Sequence, residues 1–132
     1  MLPIIISDNT HYKIAISPET NRAYLTIHGF WRNKDAVPNY LQDWTKAVSA
    51  LKPGFTLLTD ASEMKTHPKD VQRLHEEAQA IVLKAGVVKV AEILKDNITE
   101  LQLNAVAKAT QFPKKNFKTV EEAEKWLDQK QE

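Results

Sequence analysis

The sequence predicts an α/β domain built on a mixed sheet of four to five strands, with helices packed mainly on one side. Three observations carry that prediction. Two runs of polar–apolar alternation flank a turn-rich segment, apolar β-branched runs then alternate with amphipathic stretches, and helix caps and stops punctuate them. The 132 residues have the length of one domain, taken as 1–132. The predicted order is β-β-α-β-α-β-α-(β)-α.

Lys13 to Ile16 alternates, and so does Arg22 to His28, where Ala23, Leu25 and Ile27 share a face. Ser17-Pro18-Glu19-Thr20-Asn21 joins them, so the pair reads as a β-hairpin. Gly29 breaks the second strand. Val37, Tyr40, Leu41, Trp44, Val48 and Leu51 then recur at the spacing of one helical face, with Asp35 as cap, Pro38 in the first turn and Pro53-Gly54 as the stop. Phe55 to Thr59 predicts a buried third strand. After the polar stretch Asp60 to Asp70, a second helix carries Val71, Leu74, Ala78, Ile81, Val82 and Ala85, with Gly86 as its C-terminal cap. Val87 to Leu94 predicts a fourth strand. Asn97 with Glu100 opens a third helix, and Thr119 with Glu122 opens a last one bearing Val120, Ala123, Trp126 and Leu127. Between these two, Pro113 restricts Phe112–Lys118 to a short edge strand around Asn116–Phe117.

Composition removes several classes of function. Eighteen Lys and Arg against 17 Asp and Glu leave a net charge of +1, with no whole-chain attraction to nucleic acid or to an anionic membrane. The absence of cysteine excludes disulfides and thiolate chemistry. The Met1–Ile6 run is too short for a bilayer span and lacks the marks of a secretory signal, so a cytoplasmic protein without integral membrane association is expected. His11, His28, His67 and His75 show no paired ligand spacing, and no glycine-rich loop cradles a phosphate, so neither metal nor cofactor is expected. His75 reads as a packing residue on the margin of its helix's apolar stripe. Lys114-Lys115-Asn116-Phe117-Lys118 reads as a solvated loop beside an anchoring phenylalanine rather than a nucleic-acid platform.

Consecutive crossovers make the second, third and fourth predicted strands parallel, so their exits share one rim, the usual ligand edge of open α/β sheets. Three segments meet there: His28–Arg32, Asp60–Lys69 and Lys95–Ile98. Phe30-Trp31-Arg32 places two aromatics after a strand, where a ring either plugs the sheet's end or lies exposed with Arg32 as a contact for an apolar, anionic ligand or a partner protein. In Thr59-Asp60-Ala61-Ser62-Glu63-Met64-Lys65-Thr66-His67-Pro68, which leaves a buried strand, the hydroxyls lie beside a helix start. That position favours an anion, including a phosphate on Thr66 or Ser62, or else Thr66 simply caps the helix. The candidate binding residues are therefore Trp31, Arg32, Asp60, Ser62, Met64, Thr66, His67 and Lys95. An enzymatic alternative, a small hydrolase or transferase, requires Asp60, Ser62 and His67 to converge.

The pattern resembles the STAS domains, the SpoIIAA-like family of anti-sigma-factor antagonists, and especially its small bacterial SEC14-like branch. The resemblance rests on Tyr12-Lys13-Ile14-Ala15-Ile16, Ala23-Tyr24-Leu25-Thr26-Ile27-His28-Gly29, Leu57-Leu58-Thr59-Asp60-Ala61-Ser62, Leu101-Gln102-Leu103-Asn104-Ala105-Val106-Ala107-Lys108 and Phe117-Lys118-Thr119-Val120-Glu121-Glu122-Ala123-Glu124-Lys125-Trp126-Leu127, in that order. It implies a non-enzymatic regulatory or ligand-binding module. In phospho-regulated members a D-x-S at the strand exit precedes a D-S-S-G whose serine a partner kinase phosphorylates. Asp60-Ala61-Ser62 matches the first part, whereas Lys65-Thr66-His67-Pro68 replaces the second, with His67 in place of the serine. The SEC14-like side implies a pocket for a small apolar molecule. The expected partner is thus a protein or a small apolar or anionic ligand at the C-terminal edge of the sheet. Free sheet edges also admit a homodimer.

Overall fold

The structure, a computed structural model, describes residues 3–129. Its elements are β1 (Ile4–Asp8), β2 (Tyr12–Ser17), β3 (Arg22–Gly29), α1 (Tyr40–Ser49), β4 (Thr56–Met64), α2 (Lys69–Ala85), β5 (Lys89–Ile93), α3 (Asn97–Thr110), β6 (Lys114–Phe117) and α4 (Val120–Asp128). Among the described residues the sheet has six strands in chain order, with β1–β2 and β2–β3 antiparallel and β3 through β6 parallel.

The α/β class and the mixed sheet stand, with the strand count corrected by β1. That strand includes part of the opening apolar run, whose Met1 and Leu2 lie outside the described residues. It is an edge strand with Ile4 and Ile5 half exposed, so it lacks the alternation that burial imposes. The hairpin turns through Asn21 in the left-handed region, and the Asn21 amide bridges to Lys52 N and O at 2.9 and 3.1 Å.

Strand alternation divides the interior into two layers. Leu25, Leu57 and Val90 face Trp44 of α1, Val71, Leu74 and Val82 of α2, and Leu103 of α3. On the opposite face Leu58, Ala91 and Ile93 meet Ala123 and Leu127 of α4. Arg22 Nη2 pairs with Asp128 at 2.8 Å, and Lys89 Nζ donates to the carbonyls of Trp126 and Gln129, tying the end of α4 to the sheet. Because α4 covers the β4–β6 half, the β1–β3 half of that face carries an open groove of about 480 Å³ beside Ile5, Lys13, Ala15, Tyr24 and Thr26.

Element boundaries differ from expectation in four places. Asp35 lies in a separate 3-10 turn, Lys34–Ala36, capped by Asn33, and Pro38 precedes α1 rather than entering it. The third predicted strand does not end at Thr59: β4 runs to Met64, because β3 continues beside it and a bulge between Thr26 and His28 keeps the two paired. Pro68, not Thr66, is the residue before α2, and Asp96, one position before Asn97, caps α3 by accepting from Ile98 N and Thr99 N. Thr119 caps α4 as expected, and Gly86 ends α2 with φ +105°.

Candidate functional site

The strand exits do align on one rim. Gly29 stands opposite Met64 at the ends of β3 and β4, and Asp60 stands opposite Ile93 near the end of β5. Gly29 adopts φ +60°, a turn in which its carbonyl accepts both Lys65 N at 3.0 Å and His67 Nε2 at 3.1 Å. Behind it, His67 Nδ1 lies 3.1 Å from Nε2 of His75, one helical turn beyond Val71 on α2. Trp31 stacks on His67 with ring centroids 5.0 Å apart and planes 25° apart. Its Nε1 donates to the carbonyls of His11 and His28.

Trp31 is therefore a fully buried plug, and its neighbour Phe30 is the exposed aromatic, 55% accessible and set edge-on to His67 at 6.4 Å. Met64 is buried beneath the rim, while Arg32, Thr66 and Lys95 are exposed on it. The Lys65–Pro68 segment is rigidly tied. His67 N donates to Gln102 Oε1 at 2.8 Å, and the His67 carbonyl accepts from both Gln102 Nε2 and Gln72 Nε2. Thr99 Oγ1 reaches the Met64 carbonyl from α3 at 3.3 Å. At the start of α2, the negative charge that a helix N-terminus favours is supplied by Asp70, whose carboxylate also takes Lys34 N at 2.9 Å.

Asp60 and Ser62 share the α4-side face of β4, and Asp60 Oδ1 accepts from both Ser62 N and Ser62 Oγ, at 3.0 and 2.6 Å. His67 lies on the other side of the sheet, bonded to Gly29 and His75. The three residues of the enzymatic alternative do not converge. Among the described residues no group of three or more His, Asp or Glu is gathered as metal ligands, and no helix is long and apolar enough to cross a membrane.

Burial sets the charge states here. It pushes the His75 imidazole down to about 3, with His67 adding to the effect, and lowers His67 as well against the opposing bond from Gly29. A second buried polar group was not anticipated. Glu92 points into the helix-covered layer from β5, and Lys114 Nζ of β6 meets its Oε1 at 2.7 Å. Burial holds this carboxyl above its ordinary range, and the lysine pulls it partway back. Lys114 is thus an interior cation and no part of a solvated loop.

Ile98, within the segment expected at the rim, and Leu101, which sequence reading missed, are 61% and 70% exposed on α3. A signal was present, since Leu103, Val106 and Ala107 form the buried stripe of that helix and leave Ile98 and Leu101 outside it.

No family model matches the chain, and no curated protein matches it. Among solved structures, an uncharacterized DUF3478 protein with a SpoIIAA-like fold from Shewanella loihica PV-4 superposes with a TM-score of 0.62 at 17% identity, covering 92% of this chain and 97% of that one. SiaC of Pseudomonas aeruginosa superposes with a TM-score of 0.58 at 9% identity, covering 89% of this chain and all of that one. The fold is SpoIIAA-like.

Proposed function

We propose that this SpoIIAA-like domain is a non-enzymatic module whose strand-exit rim docks a partner protein presenting an apolar segment flanked by acidic side chains. The observation that supports it is the exposure of Phe30, Ile98 and Leu101 on the elements flanking the Lys65–His67 segment. Exposed large apolar side chains grouped beside a rigid segment suit an interface better than solvent. Arg32, Lys65 and Lys95 stand exposed on the same rim and favour an acidic partner through steering and register. Of the two candidate hydroxyls, Ser62 is engaged by Asp60 and Thr66 is exposed, so Thr66 is the position where a phosphate would counter these cations.

Site-specific photo-crosslinkers at positions 30 and 101, compared with one at Glu19, test the reading in the source cell. One protein captured from both rim positions and not from Glu19, and lost in the Phe30→Asp/Leu101→Asp variant with unchanged melting, is the expected result. Equal capture from Glu19, or full capture by the double variant, would overturn it.

A second reading, an apolar small ligand, has one observation in its favour. The open groove beside Ile5 and Tyr24 falls within the volume range of about 300–1,000 Å³ typical of ligand sites. Ile5→Lys should abolish binding of a fluorescent fatty acid there. Unchanged binding removes this reading.

A further inference from the structure

We infer that a cavity inside the helix-covered layer is a binding site for about two water molecules, held by the unpartnered Trp44 indole N–H and by the spare hydrogen-bonding capacity of the side chains around it. The cavity measures about 30 Å³ and lies between the sheet and helices α1 and α2. One water needs roughly 10–15 Å³ on this measure, together with two to four polar partners.

The partners are present. Trp44, 1% exposed, has an indole Nε1 without a geometrically formed hydrogen bond, and the Tyr40 hydroxyl is the polar group beside it. Glu92 gives Oε1 to Lys114 and receives no bond on its other oxygen among the described residues. Gln79 uses its carbonyl oxygen on Thr110 at 2.6 Å and keeps its amide donors. Thr59 adds a hydroxyl from β4. The histidine pair supplies the last group by elimination. Gly29 O can only accept, so His67 carries its proton on Nε2, and His67 Nδ1 then accepts from His75 Nε2. His75 is left with a bare Nδ1, an acceptor, in a residue that lines the cavity.

These groups also decide the chemical class of the guest. An apolar guest would leave the Trp44 indole N–H stranded, at a cost of about 1–3 kcal/mol, and would satisfy none of the polar groups beside it. The Glu92 carboxylate opposes an anion, and Lys114 already neutralises it against a cation. A small neutral molecule that both donates and accepts fits the set, and water is the smallest molecule of that kind.

Water-selective NMR on the whole protein tests the site, with an internal control. Trp31 Nε1–H is equally buried but bonded to two carbonyls. The expected result is direct cross-relaxation with water at the Trp44 indole proton and none at Trp31. Its absence at Trp44 overturns the inference, and so does xenon entering the cavity under pressure, since xenon occupies dry apolar space. A Glu92→Leu variant that keeps the Trp31 signal should lose the Trp44 water contact. If that variant does not fold, the wild-type measurements decide alone.

Discussion

His67 and His75 are eight residues apart in sequence, yet their imidazoles lie nearly parallel, 11° between planes, with Nδ1 and Nε2 3.1 Å apart. One shared proton joins the rim segment to α2, and the bond from His67 to Gly29 O sets which nitrogen holds it. The pair is neutral in the folded protein and has no room for a second proton without breaking this order.

A pH dependence follows with a definite sign. Both imidazoles have folded-state pKa values below the unfolded value of about 6.5, so they contribute stability that is present above that pH and is lost on acidification. For His75 the window runs from about 6.5 down to about 3. Within it, each histidine that takes a proton only on unfolding adds a slope of up to about 1.4 kcal/mol per pH unit. Glu92 has the opposite sign, because its raised pKa contributes stability below the ordinary carboxyl range that is lost as pH rises through the folded value. Denaturant midpoints between pH 7.5 and 4.5 should therefore fall with acidification in the wild type and fall less in His75→Phe. Parallel profiles for the two proteins would remove the assignment.

Gly86 ends α2 at φ +105°, and a Cβ built there would lie 2.9 Å from the Pro53 Cα and 3.0 Å from its Cβ. Gly54, at φ +93°, has open space around the same position. Gly86→Ala should cost about 2–3 kcal/mol, combining left-handed strain with a backbone clash, and Gly54→Ala about 1 kcal/mol from strain alone. Equal costs in a denaturation series would show that the Pro53 contact yields freely.

The hairpin, the helical stripes and the Gly86 cap were legible because each rests on local periodicity or one residue's backbone preference. The overrun of β4 was not. Asp60 to Met64 reads as polar loop, and only the neighbouring β3 supplies the hydrogen bonds that keep it extended. At the rim, the sequence places two aromatics side by side without distinguishing them; the structure buries Trp31, whose indole finds two carbonyls at the end of the sheet. Glu92 carried a readable signal that periodicity alone exposes: it falls on the same face as Val90 and Leu94, both buried. Its partner Lys114 was unreadable, since it comes from an edge strand that pairs with β5 only after α3 has crossed over.

The two layers should separate energetically. Leu127 packs only in the small cluster with Leu58, Ala91, Ile93 and Ala123. Leu127→Ala should cost about 2–3 kcal/mol, toward the lower end for such truncations because the partly buried Tyr24, Phe117 and Trp126 at the cluster's margin can settle into the space. Hydrogen exchange should accelerate in α4 first while α2 keeps its protection. Simultaneous loss in α2 and α4 would mean that the domain opens as one unit.

Glu92 and Lys114 form an ion pair whose side chains are only 3% and 8% exposed, so removing either partner leaves the other stranded. Lys114→Met should cost about 3–5 kcal/mol at neutral pH, the range for an uncompensated buried charge. The loss should shrink toward acid pH, where the abandoned carboxyl takes up a proton instead. Glu92→Met/Lys114→Met should recover most of it, because two apolar side chains of similar reach remove both desolvation costs together. Chemical denaturation of the four proteins gives the coupling directly. A Lys114→Met cost below about 1 kcal/mol would mean that bulk solvent screens the abandoned charge and that the pair is not truly interior.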